Sequence, residues 1–227
     1  MNGRIALFDL DRTLLDINSG TLWLRHEWSE GNIGVRDAMW AGWWLMKYSL
    51  GIGEGMDAAY REAVRTLRGE PETRIVERTQ AWFDEQVRHH LRPGASEALE
   101  RHREAGDRLV LATTSSPYEA RAAMEAYGLD DFVSTVFEVV DGVFTGEVSE
   151  PAWGANKAKR VEEWAERGGH DLERAVFYTD SMTDLTLLER VAEPVCVNPD
   201  RRLQRIAVER GWPIVDWGTA EEPPGAS

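Results

Sequence analysis

The sequence predicts an α/β fold: a parallel sheet covered by helices on both faces, interrupted early by a helical insertion. Three observations carry that prediction. Short apolar runs rich in β-formers, "RIALF" (4–8), "RLVLATT" (108–114), "AVFYT" (175–179) and "PVCVN" (194–198), recur with helical stretches between them. Strands that are apolar throughout are buried on both faces, as parallel strands are. Between Ile17 and about Pro93 the spacing turns helical, with almost no strand signal. Finally, "FEVVDGVFTGEV" (137–148) alternates around Asp141-Gly142 and reads as a β-hairpin.

Taken in order, the first strand leads into "ALFDLDRTLL" (6–15), which places Asp9 and Asp11 two residues apart. If the strand runs through Leu10, both carboxylates face one site at its carboxyl end, where open α/β sheets bind ligands. Two like charges there are tolerable around a divalent cation or where their roles differ. Turn or cap residues leaving the strand fit the same pattern. After the second strand, "TTSSPYEA" (113–120) carries Ser116, Pro117 and Glu119 in the spacing of a capping box with proline at the first helical position. Unpaired amides near such a helix start hold anions, and Thr114 offers a hydroxyl beside them. A plain strand-to-helix turn looks alike.

The next helix, "GANKAKRVEEWAER" (154–167), crowds Lys157, Lys159 and Arg160 at its amino end. The helix dipole disfavours cations there, so one of them is expected to serve something outside the helix. In "FYTDSMTDLTLLE" (177–189), Asp180 follows a buried strand and Asp184 comes four residues later. Either Asp180 or Ser181 also suits a helix cap. "WPIVDW" (212–217) adds a last strand, and the tail "TAEEPPGAS" reads as disordered. The expected division is a core of 1–16 and 94–218, a helical cap of 17–93 and a loose tail of 219–227.

The chain has 227 residues, 26 basic against 40 acidic, for a net charge of −14. That balance argues against nucleic-acid binding, which needs concentrated Lys and Arg. A small anionic substrate is compatible with it, because a local cation or metal outweighs the global sign. One cysteine, Cys196, leaves no internal disulfide or cysteine-rich zinc site. The first strand begins almost at the start methionine, without a leader pattern. The longest apolar stretch, "AMWAGWWLM" (38–46), is far short of a membrane span. A soluble cytoplasmic protein is expected.

A carboxylate pair, a hydroxyl, a lysine and a second carboxylate pair thus follow strands or open helices at one sheet end. The chemistry that uses all of them is phosphoryl transfer through an aspartyl phosphate. A carboxylate is ionised at neutral pH and acts as nucleophile, while Mg²⁺ and lysine neutralise the phosphate it approaches. A second carboxylate protonates the leaving alkoxide and then activates water.

The arrangement resembles the haloacid dehalogenase superfamily of phosphatases. "DLDRT" matches its Asp-x-Asp-x-Thr motif, and Thr114, Lys157 and "DSMTD" match the other three in order, over nearly the whole chain. "YTDSMTDLTLLERVAEPVCVNPDRRL" looks like the subfamily of phosphoserine phosphatase-like and histidinol-phosphate phosphatase-like enzymes. The resemblance implies a Rossmann-like core with an α-helical cap inserted after the first motif. It makes Asp9 the nucleophile, Asp11 the acid/base, Thr114 the phosphate-binding hydroxyl (with Thr113 as alternative) and Lys157 the neutralising cation. Mg²⁺ would lie on Asp9, the Asp11 main-chain carbonyl and Asp180, with Asp184 coordinating or supporting through water. Phosphoserine phosphatases carry a Glu nine residues after the nucleophile; here Asn18 stands there, and a neutral amide cannot pair with the substrate ammonium. Asn18 and Ser115 are the expected substrate contacts.

Trp23, Trp28, Trp40, Trp43, Trp44 and Trp82 fall in the insertion. They read first as packing between cap helices, and second as an apolar wall or lipid-facing surface. Arg25, Arg36 and Arg61 are cap cations within conceivable reach of substrate. His89 and His90 read as a helix end. The expected reaction is hydrolysis of a small phosphorylated metabolite, with neither nucleic acid nor membrane as expected partner. Two alternatives remain at this level: a lipid-phosphate phosphatase with a membrane-facing cap, and a signalling module that keeps its aspartyl phosphate.

Overall fold

Residues 4–32, 34 and 56–220 are described by the computed structural model. Along the chain, β1 (Ile5–Phe8) precedes α1 (Ser19–Ser29), α2 (Met56–Arg65), α3 (Glu72–Trp82) and α4 (Pro93–Glu104). Then follow β2 (Arg108–Ala112), α5 (Pro117–Tyr127), β3 (Asp131–Val133), β4 (Val136–Val140), β5 (Val143–Glu150) and α6 (Ala155–Gly168). The last part holds β6 (Val176–Thr179), the short α7 (Leu185–Leu188), β7 (Glu193–Val197), α8 (Arg201–Arg210) and β8 (Ile214–Val215).

Six strands form a parallel sheet in the order β3-β2-β1-β6-β7-β8. Side chains alternate across it, as a period of two requires. Ala6, Phe8, Leu109, Leu111, Val176 and Tyr178 pack on one face with Leu99 of α4 and Ala120 and Ala123 of α5. Ile5, Leu7, Val110, Phe177 and Cys196 pack on the other with Val161 of α6 and Leu203 of α8. The α/β class and its two covered faces are as the apolar runs predict. β1 is central: β2 lies on one side and β6 on the other. The chain order reverses between β1 and β6, and such a switch opens a crevice at the carboxyl ends of the strands.

The chain enters and leaves the insertion through two adjacent segments. Leu15 and Leu91 form an antiparallel bridge, and the Arg92 amide donates to the Leu14 carbonyl at 2.8 Å. Trp82 and Phe83, at the end of α3, are buried in the same cluster as Phe8. Trp23 meets Trp82 edge-on, with centroids 5.0 Å apart. These two tryptophans therefore pack, whereas Trp28 is exposed. Trp40, Trp43, Trp44, Arg36 and the whole 38–46 stretch lie outside the described residues.

The Asp141-Gly142 turn adopts positive φ at both residues, +51° and +76°, as a two-residue hairpin turn requires. The β4–β5 hairpin, read as part of the core segment, leans on the insertion. Phe137, Phe144 and Val148 pack with Val64 and Ile75. Gly69 and Glu70 exchange backbone hydrogen bonds with Phe144 at 2.9 and 3.0 Å.

The expected loose tail is anchored where it begins. The Gly94 amide donates to the Trp217 carbonyl at 3.0 Å, and the Ala220 amide donates to Asp16 Oδ2 at 2.8 Å. The remainder, 221–227, lies outside the described residues. No described helix is long and apolar enough to cross a membrane.

Candidate active site

β1 ends at Phe8, earlier than the argument from a continuous strand requires. Residues Leu10–Leu14 wind into a tight turn instead, with Asp11 extended and Arg12 at φ +58°. Asp9 and Asp11 therefore do not share a strand face, and the two carboxylates take different partners. Asp9 Oδ1 accepts from Lys157 Nζ at 2.8 Å. Asp11 Oδ1 accepts from the Ser19 amide at 2.6 Å, at the start of α1. A turn delivers both groups to the crevice, but only the first faces the lysine.

Lys157 is the misplaced cation of α6, and its burial explains it. The residue is 1% exposed and its ammonium also donates to Asp184 Oδ2 at 2.8 Å. The two carboxylates raise its pKa against the opposing pull of burial. Its neighbours stay outside: Lys159 pairs with Glu163 along the helix, and Arg160 with Glu150. Asp184 is held further by the Thr179 hydroxyl at 2.7 Å.

Of the two cap candidates after β6, Ser181 takes the role, accepting from the Thr183 amide at 3.3 Å. That leaves Asp180 to the crevice. Its amide donates to Thr13 Oγ1 at 3.0 Å, tying the end of β6 to the turn after β1. The Asp180 carboxyl is buried, and burial followed by Asp9 and Asp184 pushes its pKa well above the ordinary value. Burial also lifts Asp9 to about 7, against Lys157, and raises Asp11, with Ser19 opposing.

After β2, Thr113 is buried and its hydroxyl accepts from the Ser115 amide at 3.1 Å. Thr114 is half-buried. Its carbonyl accepts from Tyr60 of α2 at 3.0 Å and from Thr135 at 2.8 Å. Thr114 therefore has the freer hydroxyl of the pair, and the insertion touches the loop that carries it.

Two expectations change. The Asn18 amide oxygen caps α1, accepting from the Thr21 amide at 3.0 Å and its hydroxyl at 2.9 Å, so that oxygen serves the helix rather than a ligand. The Ser116 hydroxyl does cap α5, accepting from the Glu119 amide at 3.2 Å. Glu119, however, does not complete the capping box. Its carboxyl is buried beside the hydroxyls of Ser19 and Ser115, and burial together with Asp11 pushes it up to about 8. Reading Glu119 as a cap conceals it, since a buried acid and a capping acid share one sequence position. Thr13 and Thr179 are visible only as parts of motifs. Arg92 is a further residue that sequence spacing does not reveal: its guanidinium binds the carbonyls of Arg12 and Gly218 and props the turn from below.

The site thus brings Asp9 and Asp184 onto one buried lysine, with Asp180 and Asp11 close by. That donor set fits a divalent cation, because a single ammonium leaves most of the carboxylate charge unbalanced. Among the described residues, no three His, Cys, Asp or Glu side chains are already drawn together as a metal-ligand group. A main-chain carbonyl and water would be needed to complete a shell.

The family described as haloacid dehalogenase-like hydrolase matches residues 6–189 of the chain. A phosphoserine phosphatase of Mycobacterium tuberculosis is 33% identical over 222 residues, covering 96% of this chain and 72% of its own. A histidinol-phosphatase of Neisseria meningitidis is 26% identical over 219 residues, covering 94% and 98%. Among solved structures, a protein of unknown function from Bordetella pertussis superposes with a TM-score of 0.86. It is 29% identical and covers 96% of this chain and 100% of that one.

Proposed function

Because the chain belongs to the haloacid dehalogenase-like hydrolase family and is a phosphatase, we propose that it cleaves a small phosphomonoester through a phosphate ester on Asp9, with Mg²⁺. The observation that carries this reading is the Asp9–Lys157–Asp184 contact at the switch point of the sheet, with Asp180 beside it. An Asp9 carboxylate oxygen attacks phosphorus, forming one P–O bond as the bond to the leaving alcohol breaks. Asp11 gives its proton to that alcohol, and burial raises its pKa in the direction that a general acid needs. It then takes a proton from water, whose oxygen displaces Asp9 and releases phosphate.

Lys157 neutralises nucleophile and phosphate, while Thr114, with Ser115, receives phosphate oxygens. Asp9, the Asp11 carbonyl and Asp180 would hold the metal, with Asp184 coordinating or supporting them through water. Bound Mg²⁺ supplies charge neutralisation for the approach of two anions. A relative named phosphoserine phosphatase and one named histidinol-phosphatase support a small phosphorylated metabolite as substrate. The single buried cysteine suits a reducing, cytoplasmic setting. A module that keeps its aspartyl phosphate is not compatible with phosphatase activity.

The test is phosphate release from a panel spanning phosphoserine, histidinol phosphate, sugar and polyol phosphates and lysophosphatidate. Turnover of one class is expected, lost on chelation and reduced at least about a thousandfold by Asp9→Asn. Turnover indifferent to Asp9→Asn would remove the mechanism.

A further inference from the structure

Tyr60 is the fifth residue of α2, in the insertion, and its hydroxyl donates to the Thr114 carbonyl at 3.0 Å. The Thr135 hydroxyl, from the link between β3 and β4, donates to the same oxygen at 2.8 Å. A carbonyl oxygen has two lone pairs, so these two donors saturate it. The backbone on either side is tied as well. The Thr113 amide donates to the Val133 carbonyl at 2.9 Å, and the Thr135 amide to the Ser115 carbonyl at 3.2 Å. Of these partners, only Tyr60 comes from the insertion.

The ring behind the hydroxyl is fixed by packing. Its centroid lies 4.9 Å from that of Trp153 and 6.2 Å from that of Phe137, in the cluster that joins the β4–β5 hairpin to the insertion. Burial, followed by Glu119, pushes the phenol pKa up, with Thr135 opposing, so the hydroxyl stays a donor at neutral pH. A phenylalanine would serve that packing equally well. What the hydroxyl adds is a bond to the main chain of the residue that receives phosphate oxygens in the mechanism above. Turning that peptide unit swings the Thr114 side chain and the Ser115 amide together, and displacements of about 1 Å suffice to weaken a preorganised anion site.

We infer that Tyr60 is a positioning residue for the phosphate-binding loop: through the Thr114 carbonyl, the insertion sets how tightly the phosphoryl group is held. The inference rests on the phosphatase mechanism above and adds to it a part for the insertion that is independent of the leaving alcohol.

Inorganic phosphate is the probe, because it carries no leaving group. Its Ki as a competitive inhibitor of p-nitrophenyl phosphate hydrolysis does not depend on the fraction of enzyme that is active. Tyr60→Phe keeps the ring and should raise that Ki about fivefold. KM should rise by a similar factor for p-nitrophenyl, ethyl and glyceryl phosphates alike, with kcat lowered less. An unchanged Ki in Tyr60→Phe overturns the inference. So does a change confined to one ester, which would make Tyr60 a contact of the leaving alcohol. A fall in kcat with KM and Ki unmoved overturns it too, by reducing the hydroxyl to a structural role. Any of these three with Asp9-dependent turnover intact removes this inference alone. Absence of Asp9-dependent turnover on every ester removes the phosphatase mechanism and this inference with it.

Discussion

Lys157 and Lys159 sit two residues apart on one helix and differ in everything that matters energetically. Lys157 is enclosed between Asp9 and Asp184, whereas Lys159 has a side chain 72% exposed and a loose partner in Glu163 at 3.6 Å. Replacing Lys157 by Met keeps the length of the side chain but strands two buried carboxylates. A loss of about 3 kcal/mol in urea-unfolding free energy is expected, together with loss of turnover. Lys159→Met should change stability by less than about 1 kcal/mol. Equal effects would mean that the buried pairs do not carry the energy assigned to them. The sequence exposes Lys157 as an anomaly, since a cation at a helix amino end invites a partner elsewhere. It cannot tell which of three neighbouring cations turns inward, because that depends on the rotation of α6 against the sheet. Glu119 is illegible for the complementary reason: its position already has an adequate local explanation as a cap.

At the scale of elements, local rules succeed where a segment is governed by its own backbone. The hairpin follows from Asp141-Gly142, and the start of α5 from Ser116 and Pro117. They fail after β1, where the strand stops at Phe8 and a turn with positive φ at Arg12 takes over. That turn is held from outside by Thr13 to Asp180 and by Arg92 to the Arg12 carbonyl. Arg92 in turn leads into α4, whose second residue, Gly94, lies against Trp217. A Cβ at Gly94 would fall 2.6 Å from the Trp217 ring and 2.8 Å from its Cα. Helix propensity alone favours Gly94→Ala by about 1 kcal/mol. The clash is with backbone as well as ring, so the net effect should be destabilising by about 1–3 kcal/mol. A urea midpoint that rises in Gly94→Ala would show that the C-terminal segment is not seated there.

At the scale of the molecule, the site works against the stability of the fold that carries it. Asp9 at about 7, Glu119 at about 8 and Asp180 well above its ordinary value all exceed their unfolded counterparts. As pH rises from about 4, the unfolded chain ionises these groups while the fold keeps them protonated. The contributions of Asp9 and Glu119 to stability therefore fall through that window and level off above about 8, and that of Asp180 falls in the same direction. Lys157, raised in the fold, contributes constantly across it and is lost only in strong alkali. Metal-free protein should lose at least about 3 °C in Tm between pH 5.5 and 8, and Mg²⁺ should flatten that slope by favouring the ionised carboxylates. A Tm that rises over the range, or a slope indifferent to Mg²⁺, would contradict the charge balance described for the site.

The whole molecule also shows how the readings divide. The sequence by itself determined the α/β class, the strands of the sheet other than the short edge strand β3, the hairpin and the four short motifs, because each follows from periodicity or residue type within a few positions. It did not determine that Asp9 and Asp11 part company, that Asn18 closes a helix, that Glu119 enters the site, or that the hairpin packs on the insertion. Those outcomes depend on contacts between residues far apart in the chain: Thr13 with Asp180, Lys157 with Asp9, Phe144 with Val64. Burial and partnering of charge are properties of the assembled crevice, and only the tertiary structure could decide them.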